Sequence, residues 1–457
     1  MFALHWFVCG RKLRAQNGLI VLASYAFYAW WDWRFLALLA GTSLLCWGCG
    51  LSVARWRESA PRRALAFNAL NIVVNLGVLA LFKYYDFFAQ SFADAFLGGN
   101  ASGILLHLAL PVGISFYTFK ALAYTIEIRR GTMPAERDPL PVLAYISFFP
   151  QLLAGPIERP QHLIPQFKQL RTFSYEQATD GCRQILWGLF KKVVVADNCA
   201  VYVNEVWDNV GGEAGSTLLL AAILFSVQIY GDFSGYSDIS IGVGKLLGVR
   251  SRKNFDMPYF SRGIAEFWRK WHISLTSWFR DYVYIPMGGS RCPKGRVIFN
   301  TLVVFLLSGL WHGADWTFVL WGAYNGLLFV PGLISGHRPR YRDAVAQGRM
   351  HPSLKELGLM LFTFGLVTLG WILFRADNLQ QAVAFLGGMV DESIFSLPFL
   401  YIGARKTMAF AVLIFVVEWF SERITLPAFL RIAGYGALIL LMLEFAAGGQ
   451  SFIYFNF

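Results

Sequence analysis

Long apolar stretches separated by short charged clusters set the pattern of this chain. A helix that crosses a bilayer needs about 20 mostly apolar residues, and eleven segments fit that length and pattern. They cover residues 16–31, 34–53, 65–84, 104–127, 178–207, 216–244, 297–312, 316–334, 358–374, 403–420 and 432–448, the first and seventh being short for a span. Lys and Arg should collect on alternate connections if these are real spans, because basic loops stay on the cytoplasmic side. Arg55, Arg57, Arg62 and Arg63 follow the second segment, and Arg129, Arg130 and Arg137 follow the fourth. Lys245, Arg250, Arg252 and Lys253 follow the sixth; Arg338, Arg340, Arg342 and Arg349 the eighth; Arg423 and Arg431 the tenth. Asp86, Asp94, Asp208 and Glu213 lie on the connections between. The pattern predicts an all-α, polytopic protein whose even-numbered spans end in the cytoplasm and whose C-terminus lies outside.

Two stretches interrupt the pattern. Residues 140–170 carry Pro141, Pro150, Gly155, Pro156, Pro160 and Pro165 between two basic sites, which predicts a re-entrant or interfacial hairpin. Residues 254–296 run from Asn254 and Pro258 through an aromatic and basic helix to Pro286 and Gly288-Gly289, with both ends cytoplasmic. Irregular backbone at membrane depth survives only where protein or a water-filled cavity satisfies its polar groups, so these stretches are the expected surroundings of a site. No fixed-period repeat or low-complexity tract is present, and the chain reads as a single membrane domain, 1–457, with a polar loop near 336–355.

Composition sharpens this reading. The 457 residues are 56% hydrophobic and 15% charged, with a mean hydropathy of +0.47, against about 25% charged in soluble domains. A water-soluble enzyme is excluded on that ground. The net charge of +12 sits in short loops facing an anionic leaflet, and no basic domain or recognition motif points to nucleic acid. The six cysteines lie mostly in or beside apolar stretches and predict no disulfide; Cys46 and Cys49 have a C-x-x-C spacing but no second pair to complete a metal site. Arg11, Lys12 and Arg14 follow the first short apolar stub, which is the wrong order for a cleaved secretory signal.

Ionisable groups within apolar surroundings are costly and mark function. Of seven histidines, His5, His162, His337 and His351 sit in loops or near an end, and His107 at the start of an apolar run. His312 lies in Ser308-Gly309-Leu310-Trp311-His312-Gly313, where the glycines are expected to let a substrate approach the imidazole. His272 lies in Phe267-Trp268-Arg269-Lys270-Trp271-His272-Ile273-Ser274, which also reads as an interfacial helix anchored by its Trp and Arg. A neutral imidazole is a suitable proton acceptor near pH 7.

These two runs, with Ala23-Ser24-Tyr25-Ala26-Phe27-Tyr28, Phe149-Pro150-Gln151-Leu152-Leu153-Ala154-Gly155-Pro156, Tyr230-Gly231-Asp232-Phe233-Ser234-Gly235-Tyr236-Ser237-Asp238 and the terminal Phe452–Phe457, resemble the membrane-bound O-acyltransferase family. The resemblance covers nearly the whole chain and is strongest to the bacterial branch that acetylates alginate or transfers D-alanine to teichoic acid. It departs at the start, where only a short stub precedes Leu19. The resemblance implies that His312 is catalytic and His272 its polar partner. It also implies acetyl transfer from a cytoplasmic thioester donor, acetyl-CoA, to an exported polysaccharide such as alginate or to periplasmic relay proteins, at the bacterial inner membrane. No tightly bound cofactor or metal is implied. Arg269, Lys270 and, beyond them, Arg291, Lys294 and Arg296 are candidates for the donor phosphates, and His272, Asn254 or backbone N–H groups for polarising the carbonyl. The alternatives are D-alanyl transfer and, in a different class, transport of a polysaccharide or lipid-linked sugar; the repeated halves typical of transporters are not visible.

Overall fold

A computed structural model describes the chain apart from residues 102, 337–340, 342–344, 402, 422, 447–449, 451 and 454–457. His337, Arg338, Arg340, Arg342 and Phe457, named above for topology, therefore lie outside the described residues. Every regular element among the described residues is helical. The chain forms two compact units, one of residues 1–185 with 239–252 and the other of residues 186–238 with 253–457.

The first unit begins with α1 (Leu13–Asp32), α2 (Leu36–Trp56), α3 (Pro61–Leu79), α4 (Tyr85–Phe96) and α5 (Ile114–Arg130). Polar residues inside these apolar helices serve helix–helix contact. Asn71 of α3 is fully buried and donates to the Ala121 carbonyl at 3.1 Å and to Thr125 Oγ1 at 2.9 Å on α5. The expected span 104–127 starts late, at Ile114. Asp86 accepts the Leu106 and His107 N–H groups at 2.8 and 2.9 Å, His107 takes a φ of 48°, and Pro111 and Gly113 follow, so residues 103–112 cannot propagate a helix.

The proline-rich stretch folds as α6 (Pro139–Ser147), α7 (Phe149–Leu152) and α8 (Pro160–Phe167), largely buried. A buried polar set holds it. Lys120 Nζ donates to Gln151 Oε1 at 2.9 Å and to the Tyr145 carbonyl at 3.3 Å; Gln151 Nε2 donates to Ser251 Oγ at 2.8 Å. From α1, Gln16 and Asn17 clasp the backbone of Arg171 and Phe167. Helix α9 (Tyr175–Leu189) then leads into the second unit.

There the expected span 178–207 is interrupted by a π-helical turn, Phe190–Ala196, before α10 (Asp197–Asp208). Lys192 in that turn meets Asp197 at 2.8 Å and, on α11 (Gly215–Leu246), Asp232 at 2.7 Å. Asp232 Oδ2 in turn accepts the backbone N–H of Ile453, 221 positions further on, at 2.7 Å. A wide or offset turn is the cost of bringing a charged pair into an apolar setting. After α12 (Ile264–Lys270) and α13 (Ile273–Phe279) come α14 (Lys294–His312), α15 (Trp316–Ser335), α16 (Leu354–Arg375), α17 (Leu379–Gly388), α18 (Ala404–Ser421) and α19 (Ala428–Phe445).

Seven segments among the described residues are long and apolar enough to cross a membrane: Leu13–Trp56, Pro61–Phe96, Gly215–Leu246, Lys294–His312, Trp316–Ser335, Leu354–Arg375 and Ala428–Phe445. The first contains both α1 and α2. The other expected spans fall on α5, on α9 with α10, and on α18. The first three are short, and α18 carries Arg405, Lys406 and Glu418.

Candidate active site

The site is built in the second unit from the run after α11, where the sequence pattern suggested one aromatic helix. The structure divides that helix in two at His272, which adopts φ 43° and ψ 54°, a left-handed conformation rare for a non-glycine residue. The cause lies at Asn254. Its carbonyl accepts the Ile273 N–H at 2.9 Å and its side-chain Oδ1 accepts the Ser274 N–H at 3.2 Å, so the two donors that would have continued α12 bond across to residue 254 instead. A second backbone bond, Asp256 N–H to the Lys270 carbonyl at 3.0 Å, fixes the crossing.

The result is a fully buried imidazole held edge-on. His272 Nδ1 lies 3.2 Å from Asn254 Oδ1, Ser274 Oγ donates to the same oxygen at 2.8 Å, and Asn254 Nδ2 donates to Ser237 Oγ on α11 at 3.2 Å. Rings of Phe233, Phe255 and Trp311 close around His272 at centroid distances of 4.7, 6.4 and 5.9 Å. His272 Nε2 is buried and has no hydrogen-bond partner among the described residues. His272 lies outside the spanning helices, and burial pushes its pKa down to about 3, so the imidazole is neutral at physiological pH.

His312 is the last residue of α14 and is also buried. Trp311, Trp321 and Phe374 surround its ring at 5.0, 5.2 and 5.3 Å. The Trp311 indole thus touches both histidines, which are 40 positions apart in sequence. The flanking glycines pack closely against Phe318. A Cβ on Gly309 would come within 2.2 Å of the Phe318 carbonyl oxygen and one on Gly313 within 2.0 Å of the Phe318 ring. Both glycines let α14 and α15 close on each other.

The other expected residues are placed differently. Arg269 is exposed and reaches the Tyr341 carbonyl at 3.4 Å, whereas Lys270 is already paired with buried Glu266 at 3.0 Å. Asn254 stands against His272, its side-chain oxygen accepting from the Ser274 N–H and hydroxyl and lying 3.2 Å from His272 Nδ1. Sequence reading missed Ser237 and Ser274, although both lie within the runs that carried the resemblance, because hydroxyl partners of a side-chain amide leave no periodic signal.

A model of the MBOAT, membrane-bound O-acyltransferase family, matches residues 133–370, more than half of the chain and including both histidines. The chain belongs to this family. It is accordingly a multi-pass membrane enzyme of acyl transfer to oxygen. Among curated O-acyltransferase relatives, it is 39% identical over 387 residues to the probable alginate O-acetylase AlgI of Pseudomonas putida, covering 84% of this chain and 76% of that protein. It is 34% identical to the peptidoglycan O-acetyltransferase of Helicobacter pylori, over 81% of this chain and 73% of that one. The teichoic acid D-alanyltransferase of Bacillus subtilis is 29% identical over 48% of this chain and 57% of its own length.

Proposed function

We propose that residues 1–457 serve as one membrane-embedded O-acetyltransferase domain that passes acetyl from a cytoplasmic thioester, acetyl-CoA, toward an exported polysaccharide such as alginate, directly or through periplasmic relay proteins. The observation that carries this reading is the pair of buried histidines joined through Trp311 within a chain of this family. The preference for acetyl over D-alanyl follows the higher identity and wider coverage of the acetylating relatives. The cell location is the bacterial inner membrane.

In this reading His312 removes the proton of the acceptor hydroxyl as its oxygen attacks the thioester carbonyl carbon. The tetrahedral intermediate collapses with cleavage of the C–S bond, and the imidazolium returns its proton to the departing thiolate, giving an ester and a free thiol. A positioned histidine base contributes on the order of 10²–10⁴-fold. Arg269 at the exposed face, with Lys270 behind it, attracts the donor phosphates.

The test is His312→Ala in membranes supplied with radiolabelled acetyl-CoA and the polysaccharide. Turnover is expected to fall at least about 10²-fold at an unchanged protein level, and adding His272→Ala to cost little more, as for residues acting as a unit. Near wild-type acetylation by a well-inserted His312→Ala protein removes His312 from the mechanism. Transfer of D-alanine from a carrier protein without transfer of acetyl replaces the substrate reading.

A further inference from the structure

The polar contacts around Asn254 determine the chemical state of His272. A backbone N–H can only donate, so the Asn254 atom facing the Ser274 N–H at 3.2 Å must be the carbonyl oxygen. The amide orientation is therefore fixed from outside, and Nδ2 points to Ser237 Oγ at 3.2 Å. The same oxygen faces His272 Nδ1 at 3.2 Å; Ser274 Oγ also lies 3.4 Å from Nδ1, but its one hydrogen goes to the nearer Asn254 Oδ1 at 2.8 Å, so the hydrogen between Nδ1 and these oxygens belongs to Nδ1. A neutral imidazole holds one proton, which leaves Nε2 with a bare lone pair, and Nε2 is the nitrogen that is buried without a partner among the described residues. The left-handed backbone at His272 is unfavourable for a residue with a Cβ and is retained where the Asn254 contacts impose it.

We infer that Asn254 is a positioning residue that locks His272 in its Nδ1–H tautomer, so that Nε2 acts only as a hydrogen-bond acceptor, orienting the sugar through a hydroxyl adjacent to the one that His312 deprotonates and leaving the nucleophile's single hydrogen to His312. The inference rests on the proposed role of His272 and adds a direction to it. A neutral His272 in this tautomer offers no hydrogen to the thioester carbonyl, so it orients the acceptor sugar and does not polarise the electrophile. Asn254 does not contact substrate in this scheme; Ser237 and Ser274 hold it, and it acts through the imidazole.

The experiment uses the full chain in membranes, with acetyl-CoA as donor and the polysaccharide as acceptor. Asn254→Leu, Asn254→Asp and His272→Ala are compared by kcat and KM, by pH profile, and by solid-state nitrogen spectra of protein labelled at histidine, the His272 signals being those lost in His272→Ala. Asn254→Leu is expected to lower kcat by about 10²-fold or more, the scale of losing control of a catalytic tautomer. Donor KM stays within about 3-fold if only positioning is lost, and the His272 Nδ1–H signature disappears. Asn254→Asp keeps an acceptor for Nδ1–H, so it retains the signature and recovers most of the turnover. Its added negative charge moves the acidic limb of the profile to higher pH. If Asn254→Leu does not accumulate, Asn254→Asp decides: a limb that moves with the tautomer retained supports the inference, and an unmoved limb overturns it. Near wild-type turnover or an unchanged tautomer in Asn254→Leu, with His272→Ala inactive, overturns the inference alone. Near wild-type turnover in His272→Ala overturns the underlying reading of the site.

Discussion

At His272 a single side chain combines a left-handed backbone, complete burial and one hydrogen-bonded ring nitrogen. Its pH behaviour follows. The folded pKa of about 3 lies below the ordinary 6.5, so the unfolded chain binds the proton more readily than the folded one. The contribution of this residue to stability is therefore fully present above pH 6.5 and is lost progressively as the pH falls toward 3. Thermal unfolding in detergent is expected to show a midpoint falling with acidification across that window, and His272→Gln is expected to flatten the fall. An identical slope in the variant assigns the acid sensitivity to other groups. Gly313 makes a complementary case. Its α-hydrogens face the Phe318 ring, so Gly313→Ala is expected to displace that ring, cost about 1–3 kcal/mol as overpacking does, and lower turnover by shifting His312 beside it. A thermal midpoint and turnover equal to wild type show that the ring gives way freely.

At the scale of elements, what the sequence showed and what it concealed divide along a physical line. Helix existence was legible, since each of the eleven apolar runs overlaps a helix, that of 104–127 only from Ile114 onward, and so was the irregularity of 140–170 and 254–296, marked by proline and glycine. The break at His272 was not legible. No helix breaker stands there, and the competing bonds come from Asn254, 18 positions earlier. The late start of α5 was concealed only in part: Pro111 and Gly113 stand in the sequence, whereas the bonds of Asp86 to two backbone donors 20 and 21 positions on leave no local signal. Lys120 gives this scale its own prediction. Its amine nitrogen is wholly buried and donates to Gln151 and the Tyr145 carbonyl, which ties α5 to α6 and α7. Lys120→Ala removes the donor and leaves the Gln151 oxygen buried without it. A loss of about 2–5 kcal/mol is expected from breaking such a set, seen as a lower thermal midpoint with little change in donor KM.

For the molecule as a whole, the basic loops carry the topological prediction that residues 245–253 face the cytoplasm and the C-terminal end faces the periplasm. Single cysteines placed at 250 and 457 in a cysteine-free chain test it with an impermeant thiol reagent. The expected outcome is labelling at 457 in intact cells and at 250 only after lysis; labelling of both together changes the number of crossings by one or another odd number. The six native thiols are all free, so their replacement breaks no cross-link.

The contact between Asp232 and the Ile453 N–H also has a meaning in time. Asp232 leaves the ribosome 221 residues before the group that completes its hydrogen bonding, and α11 must enter the bilayer in the interval with that carboxylate only partly answered by Lys192. Insertion of this helix is thus separated from its final setting by most of the second unit's synthesis. A nascent chain that stops before residue 453 lacks this donor to Asp232, and the Ile453 N–H works as a seal applied only after α12 to α19 have been made.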